Sequence, residues 1–256
     1  MARNLLVRCS YCGTAYHGFQ IQKNGDTVAA RLMEAIFQVT GEASPTIGCS
    51  RTEAGVHARE YFFNFHTGAK ISSERLPAAL NAHLPYDIAV TACREVPEDF
   101  HARYRAVGKE YCYFIHNSPV RDPFCESLKY HYRYPLDEKL LDHAAKWFVG
   151  THDFSAFCSA GSSVKDTVRT ITEARVSREG ELVLFTVRGT GFLYNMVRIM
   201  AGTLLGVAEG KLSAQEIPDI INSCDRSRAG ITAPAHGLYL NRVFYTWEEF
   251  ETLPGR

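Results

Sequence analysis

The segment Gly48-Cys49-Ser50-Arg51-Thr52-Glu53-Ala54-Gly55-Val56-His57-Ala58 concentrates reactive chemistry in a short span. Arg51 offers a permanent cation, Thr52 a hydroxyl, Glu53 a carboxylate and His57 an imidazole. A carboxylate and an imidazole can move protons near neutral pH, and a carboxylate or hydroxyl can attack an electrophilic carbon. Gly48 and Gly55 permit a tight backbone path. Short apolar runs flank the polar stretch, Ile47-Gly48-Cys49 before it and Tyr61-Phe62-Phe63-Asn64-Phe65 after it. Both read as strands, so Arg51–His57 reads as a loop able to present side chains into a cleft. On these residues alone the competing reading is a surface turn carrying ordinary charges.

Strands and helices alternate around that loop, with no low-complexity linker between them. Leu5–Cys9 is apolar and β-prone, and Gly13, Thr14 and Gly18 signal a loop. Thr27 to Val39 has helical spacing, with Val28, Leu32, Ala35, Ile36 and Val39 on one face and Asp26 as the expected N-cap. Pro77–Leu84 predicts a short helix with Pro early, where its missing N–H does no harm. Ile88–Val90 predicts a strand. The second half echoes this order. Glu110–His116 reads as a strand with Tyr111, Tyr113 and Ile115 on one face. Leu136–Val149 reads as a helix, Val168–Val176 and Leu182–Arg188 as adjacent strands, and Phe192–Val207 as the most apolar helix. The pattern predicts an α+β protein of two subdomains, 1–106 carrying the candidate loop and 107–256 following it, with mainly antiparallel sheets that merge.

Composition narrows the function classes. The chain has 256 residues, 46% hydrophobic and 22% charged, which is ordinary for a chain with a real core. No apolar run is long enough to span a bilayer, and the start is too short for a signal peptide, so a cytoplasmic location is expected. Eight cysteines are scattered through the sequence, which argues for reduced thiols. Cys9 and Cys12 have C-x-x-C spacing, but no second ligand pair follows. They read as a buried strand thiol and a turn thiol rather than a zinc site. Formal charge is +0, with 28 basic and 28 acidic residues. Any nucleic-acid-binding surface would therefore have to come from local clustering, for which Arg51 with Arg59 and Arg103 with Arg105 are candidates; ordinary solvated surface is the alternative for each pair.

The loop resembles the active-site motif of the TruA family of tRNA pseudouridine synthases, G-x-[GS]-R-T-D-x-G-V-H-A. The resemblance runs nearly end to end. Tyr11-Cys12-Gly13-Thr14 with Tyr16, Gly18 and Gln20 is similar to that family's first strand and loop. Leu80-Asn81, Leu84-Pro85 and Asp87-Ile88 are similar to its L-N-x-x-L-P-x-D-I run. Phe100-His101-Ala102-Arg103-Tyr104 and Lys109-Glu110-Tyr111-Cys112-Tyr113 resemble F-H-A-R and K-x-Y-x-Y. Gly150-Thr151-His152-Asp153-Phe154 resembles G-T-H-D-F, and Phe192-Leu193-Tyr194-Asn195-Met196-Val197-Arg198 resembles F-L-x-x-M-V-R. Ala229–Pro234 with Gly237–Leu240 resembles the C-terminal signature.

The resemblance implies a pseudouridine synthase fold with a central RNA-binding cleft, a tRNA substrate and a homodimer. It implies isomerisation of uridine to pseudouridine, at positions 38 to 40 of the anticodon stem-loop, with no metal and no organic cofactor. A base inside a stem must be flipped out to react. By matching motif, Glu53 takes the place of the catalytic carboxylate. Arg198 takes the place of the arginine that pairs with it and lowers its pKa. Tyr111 takes the place of the aromatic that stacks on the target base, a core tyrosine being the alternative. Arg51 takes the place of the arginine that assists base flipping. For His57, loop orientation or RNA contact stands beside an ordinary structural hydrogen bond.

Two positions depart from the family pattern. Glu53 stands where the motif has aspartate, and the extra methylene moves the carboxylate by roughly 1 Å, a displacement that can cost on the order of 100-fold in rate. A slow enzyme with a compensating loop shift, a catalytically impaired paralogue acting as an RNA-binding or tRNA-folding protein, and a variant change all fit the residue. Cys12 stands where the family reads Tyr-Asp-Gly-Thr. A thiol protein built on Cys9 and Cys12 is the rival from another class, and metal analysis of the purified protein separates it from the first two.

Overall fold

The computed structural model describes residues 2–161 and 164–246. In chain order the elements are β1 (Arg3–Tyr11), α1 (Val28–Thr40), β2 (Ile47–Gly48), β3 (His57–Thr67), α2 (Leu76–Asn81), β4 (Ile88–Val96), β5 (Gly108–Asn117) and β6 (Tyr130–Tyr132). They continue with α3 (Glu138–Ala145), β7 (Gly150–Asp153), β8 (Val168–Glu179), β9 (Leu182–Gly189), α4 (Met196–Ala208), α5 (Ile217–Ser223) and β10 (Leu238–Phe244). The expected α+β class holds; β1–β3, β1–β4, β2–β3, β5–β9, β7–β8 and β8–β9 pair antiparallel and β5–β6 parallel.

The chain forms two compact units. One runs through Val107 and takes up the chain again from Leu240; the other is Gly108–Tyr239. In the first unit, β4, β1 and β3 lie side by side, β2 pairs with β3, and β10 lies next to β3. Register places Leu5 opposite Phe65, Val7 opposite Phe63 and Cys9 opposite Tyr61. All six are fully buried, as are Leu32 and Ile36 of α1. Side chains two apart share one face of a strand. Alternation therefore aims this row at a single core, which α1 and α2 complete.

Segment 97–102 is tied to this sheet by buried amides. Asn4 shares its Nδ2 hydrogens among the carbonyls of Pro97, Glu98 and Phe100 at 3.0–3.2 Å. Asn64 donates to Asn4 Oδ1 at 3.0 Å and to the Phe100 carbonyl at 3.2 Å, and its Oδ1 accepts from Ala102 N at 2.8 Å. A buried pair of asparagines thus satisfies backbone groups that have no strand to pair with.

In the second unit the order is β5, β9, β8, β7, with β6 on the far side of β5. Tyr111 pairs with Val187 and Tyr113 with Phe185, and Val187 and Phe185 pair in turn with Ala174 and Val176. These rows pack under α3 and α4. Ten of the thirteen α4 residues are buried, as its apolar sequence requires.

Three expected boundaries shift for local reasons. The N-cap of α1 is Thr27, whose side chain accepts from Ala30 N; Asp26 instead pairs with Arg31 at 2.7 Å. His57 belongs to β3 rather than to the loop before it. Helix α4 starts at Met196, not Phe192, because Asn195 adopts a left-handed backbone (φ 60°) that breaks the helical path. Cys9 is fully buried on β1 and Cys12 is half-buried beside the following turn, and no cluster of three or more potential metal ligands occurs among the described residues.

Asn64→Ala leaves the Ala102 N–H and two carbonyl contacts without their partner in a buried site. A loss of about 3 kcal/mol is expected, at about 1–3 kcal/mol per orphaned group, measured as a lowered urea midpoint with an unchanged slope.

Candidate functional site

The Glu53 loop is held from both sides by the segment that follows β1. Tyr11, the last residue of β1, shares a 2.7 Å hydroxyl–hydroxyl hydrogen bond with Thr52, and both side chains are buried. The Gly13 N–H donates to His57 Nδ1 at 2.9 Å. A backbone amide can only donate, so Nδ1 must be the unprotonated nitrogen of the ring. His57 is 1% exposed. Its visible work is to pin the start of β3 to the turn after β1, which matches the structural hydrogen bond weighed from sequence.

Backbone bonds add to the grip. Phe19 N donates to the Thr52 carbonyl at 3.2 Å, and Gly55 N to the Tyr16 carbonyl at 3.2 Å. Residues 53–56 form a tight turn in which Val56 N donates to the Glu53 carbonyl at 3.1 Å. Gly55 occupies the third position with φ +78°, the left-handed value that a type II turn requires there. A Cβ on Gly13 would sit 2.0 Å from the Val56 carbonyl oxygen, so the two backbones touch in a way only glycine allows. At the other end, the Tyr61 hydroxyl donates to the Ser50 carbonyl, and its ring stacks on Phe19 at 4.3 Å. Burial raises the Tyr61 pKa far above its ordinary value, so this hydroxyl stays a donor. Tyr16 donates to Asp87 Oδ1 at 2.6 Å, and Cys12 N to the Asp87 carbonyl at 2.8 Å.

The outcome is a half-buried Glu53 on a turn whose backbone is fixed before and after it, with Arg51 exposed two residues earlier. Of the arginine pairs considered for RNA contact, Arg59 on β3 and Arg105 are both exposed, and Arg105 pairs with Asp99 at 2.7 Å.

The second unit holds Tyr111 and Arg198. Tyr111 is buried on β5, with its ring edge-on to Phe192 at 5.0 Å. Arg198 lies in the first turn of α4. Its Nε donates to the Ala233 carbonyl at 2.7 Å and its Nη1 to Asn195 Oδ1 at 2.8 Å, while Ala233 N donates back to the Arg198 carbonyl at 3.1 Å. The 229–234 segment is tied to α4 again where Gly230 N donates to Thr203 Oγ1 at 2.9 Å, and Tyr113 donates to the Pro234 carbonyl at 2.8 Å. The guanidinium is thus held at two of its three nitrogens. Nη2 has no hydrogen-bond partner among the described residues, so it is the edge available to a further acceptor. Near it, burial lowers the His236 pKa; the Glu126 charge opposes that shift and the Arg198 charge adds to it.

The family model described as tRNA pseudouridine synthase matches residues 9–105 and 144–246. The chain belongs to the tRNA pseudouridine synthase family. A relative from Acetivibrio thermocellus, "tRNA pseudouridine synthase A", is 50% identical over 95% of this chain and 100% of its own length. One from Thermoanaerobacter is 46% identical over the same shares and carries the same name. Among solved structures, a Cbf5–Nop10–Gar1 complex aligns over 94% of this chain and 58% of that one, at 11% identity and a TM-score of 0.36, too distant to add to the family assignment.

Family membership rests on both units, since the matched stretches include the Glu53 loop, α4 and the 229–234 segment. The sequence motifs pointed to Arg51, Glu53, His57, Tyr111 and Arg198. They did not point to Tyr11 and Thr52 as a buried clamp, nor to Asn195 and Ala233 as anchors of Arg198. A tyrosine at the end of an apolar strand offers little signal by itself, and a backbone carbonyl offers none.

Gly13→Ala forces the 53–56 turn to move away from the new methyl group. A displacement near 1 Å is expected to lower kcat on the order of 100-fold with far-UV circular dichroism unchanged, measured by pseudouridine formation on a tRNA transcript.

Proposed function

We propose that this protein isomerises uridine to pseudouridine in tRNA, at positions 38 to 40 of the anticodon stem-loop. Membership of the tRNA pseudouridine synthase family across both units carries this reading, and relatives named tRNA pseudouridine synthase A support it. The clamped Glu53 turn supports it from the side of chemistry, because a reacting carboxylate has to be held to within about half an ångström of its working position.

The reaction breaks the N1–C1′ glycosidic bond, turns the uracil within its pocket and joins C5 to C1′. The proton lost from C5 is balanced by the one gained at N1. No electrons leave or enter, and no group is transferred to another molecule, so no oxidant, reductant or group carrier is needed to balance it. Glu53 is the carboxylate that adds to the nucleoside or takes the proton. Tyr111 gives the aromatic surface for the extruded base, at the cost of unstacking it from the stem. Arg198 is the cation of the reaction, with its free edge toward an acceptor. Arg51, exposed near the turn, assists extrusion, and His57 holds the loop.

The glutamate is accommodated by this reading through the loop rather than through a different chemistry. Glutamate and aspartate have similar intrinsic pKa values, so the longer side chain alters reach and not charge. The protein is proposed to work in the cytoplasm as a homodimer. No helix among the described residues is long and apolar enough to cross a membrane.

Incubated with a uridine-containing tRNA transcript, the protein is expected to form pseudouridine, and Glu53→Gln to lower the rate on the order of 1000-fold. Absence of product at equimolar protein over long incubation rejects the isomerase reading. If tRNA still binds and Glu53→Asp restores product, the failure lies in the length of this side chain. Light scattering during size-exclusion chromatography is expected to give twice the 28.7 kDa chain mass, and a monomer mass rejects the dimer.

A further inference from the structure

Asn195 is held in a backbone conformation that few non-glycine residues adopt. Its backbone is left-handed (φ 60°), and Cys224 is the only other non-glycine residue with positive φ among the described residues. It occupies the N-cap of α4, a position where an asparagine side chain ordinarily accepts from the backbone N–H of the first turn. Here the side chain makes no capping hydrogen bond. Its Oδ1 accepts from Arg198 Nη1 at 2.8 Å, and its Nδ2 donates to Ser159 Oγ at 3.0 Å. The arginine can only donate, which fixes the orientation of the amide. Ser159 N in turn donates to the Tyr194 carbonyl at 3.1 Å, so the 159 loop and residues 194–195 are joined twice.

Forgoing a cap and holding a left-handed backbone both cost stability. A residue kept under both conditions points to interactions made elsewhere; its side chain bonds Arg198 on one side and Ser159 on the other. The Ala233 carbonyl fixes Nε; Asn195 fixes Nη1. Two anchors on adjacent nitrogens set the plane of the guanidinium and the direction of its Nη2 edge, which one anchor would leave free to swing. We propose that Asn195 is a positioning residue for the reaction: through Ser159–Asn195–Arg198 it sets the orientation of the Arg198 guanidinium. This rests on the role given to Arg198 above.

Asn195→Gly, Asn195→Asp, Asn195→Ala, Arg198→Ala and the Asn195→Ala/Arg198→Ala pair separate the cases, each as the full chain in single-turnover assays on a tRNA transcript with thermal unfolding in parallel. Glycine favours positive φ, so Asn195→Gly is expected to keep or raise the melting temperature while the rate constant falls about tenfold and the apparent tRNA affinity is unchanged. Asn195→Asp, which keeps the acceptor, is expected to stay within about threefold of the parent. Asn195→Ala is expected to add nothing once Arg198 is alanine, because contacting residues that act through one another are not additive. A parental rate for Asn195→Gly alongside a slow Arg198→Ala overturns the role of Asn195 alone. So does an undiminished effect of Asn195→Ala in the Arg198→Ala background. A parental rate for Arg198→Ala overturns the role of Arg198 and that of Asn195 with it.

Discussion

A carboxylate on a short loop is useful to a reaction only if the loop cannot drift, and the first unit meets this condition through the contact between the turn after β1 and the turn before β3. The Tyr11–Thr52 and Gly13–His57 hydrogen bonds run between segments some forty residues apart. They lie inside the protein, where each is stronger than it would be in water and where a missing partner would be costly. Together with the Phe19–Thr52 and Gly55–Tyr16 backbone bonds, they fix the stretch between Ser50 and Ala58. The β1–β3 pairing brings the two segments together, and that pairing follows from the row of buried aromatic and aliphatic residues on one face of the sheet.

The second unit solves the same problem for a cation. An arginine near the start of an apolar helix has more donors than the helix can satisfy, and a long side chain with several rotatable bonds. Backbone supplied by the 229–234 segment and the Asn195 amide hold the Nε and Nη1 nitrogens of the guanidinium. This removes most of the freedom that would otherwise have to be lost when a ligand binds, which is the physical content of preorganisation. The two units thus use opposite charges but one device, a charged side chain whose support is made of backbone and buried neutral polar groups.

Much of the fold was legible because its core obeys simple periods. Leu5, Val7 and Cys9 alternate, as do Tyr61, Phe63 and Phe65, and α1 repeats its apolar face at helical spacing. The reading slipped where short-range polar choices decide boundaries. Asp26 and Thr27 are both good caps, and Asp26 was drawn away by Arg31. Asn195 delays the start of α4 to Met196 through a backbone state that no periodicity encodes. The motif residues of the site were legible as motifs, but their supports were not. Tyr11 and Thr52 look like core and loop residues until a distant pairing joins them, and the Asn4–Asn64 latch joins strand positions to a segment some ninety residues along the chain.

One feature of the first unit bears on how the chain is made. Its sheet takes β10 beside β3, and that strand reaches it only from Leu240 onward, after the whole of Gly108–Tyr239 has been synthesised. At typical elongation rates the gap is on the order of ten seconds. During that interval the part of β3 that β2 does not cover keeps an unpaired edge, the kind of surface that recruits strands from other chains. A growing chain therefore passes through a window in which its first-made half is collapsed but not closed, and chaperone capture at the ribosome has its clearest physical motive there.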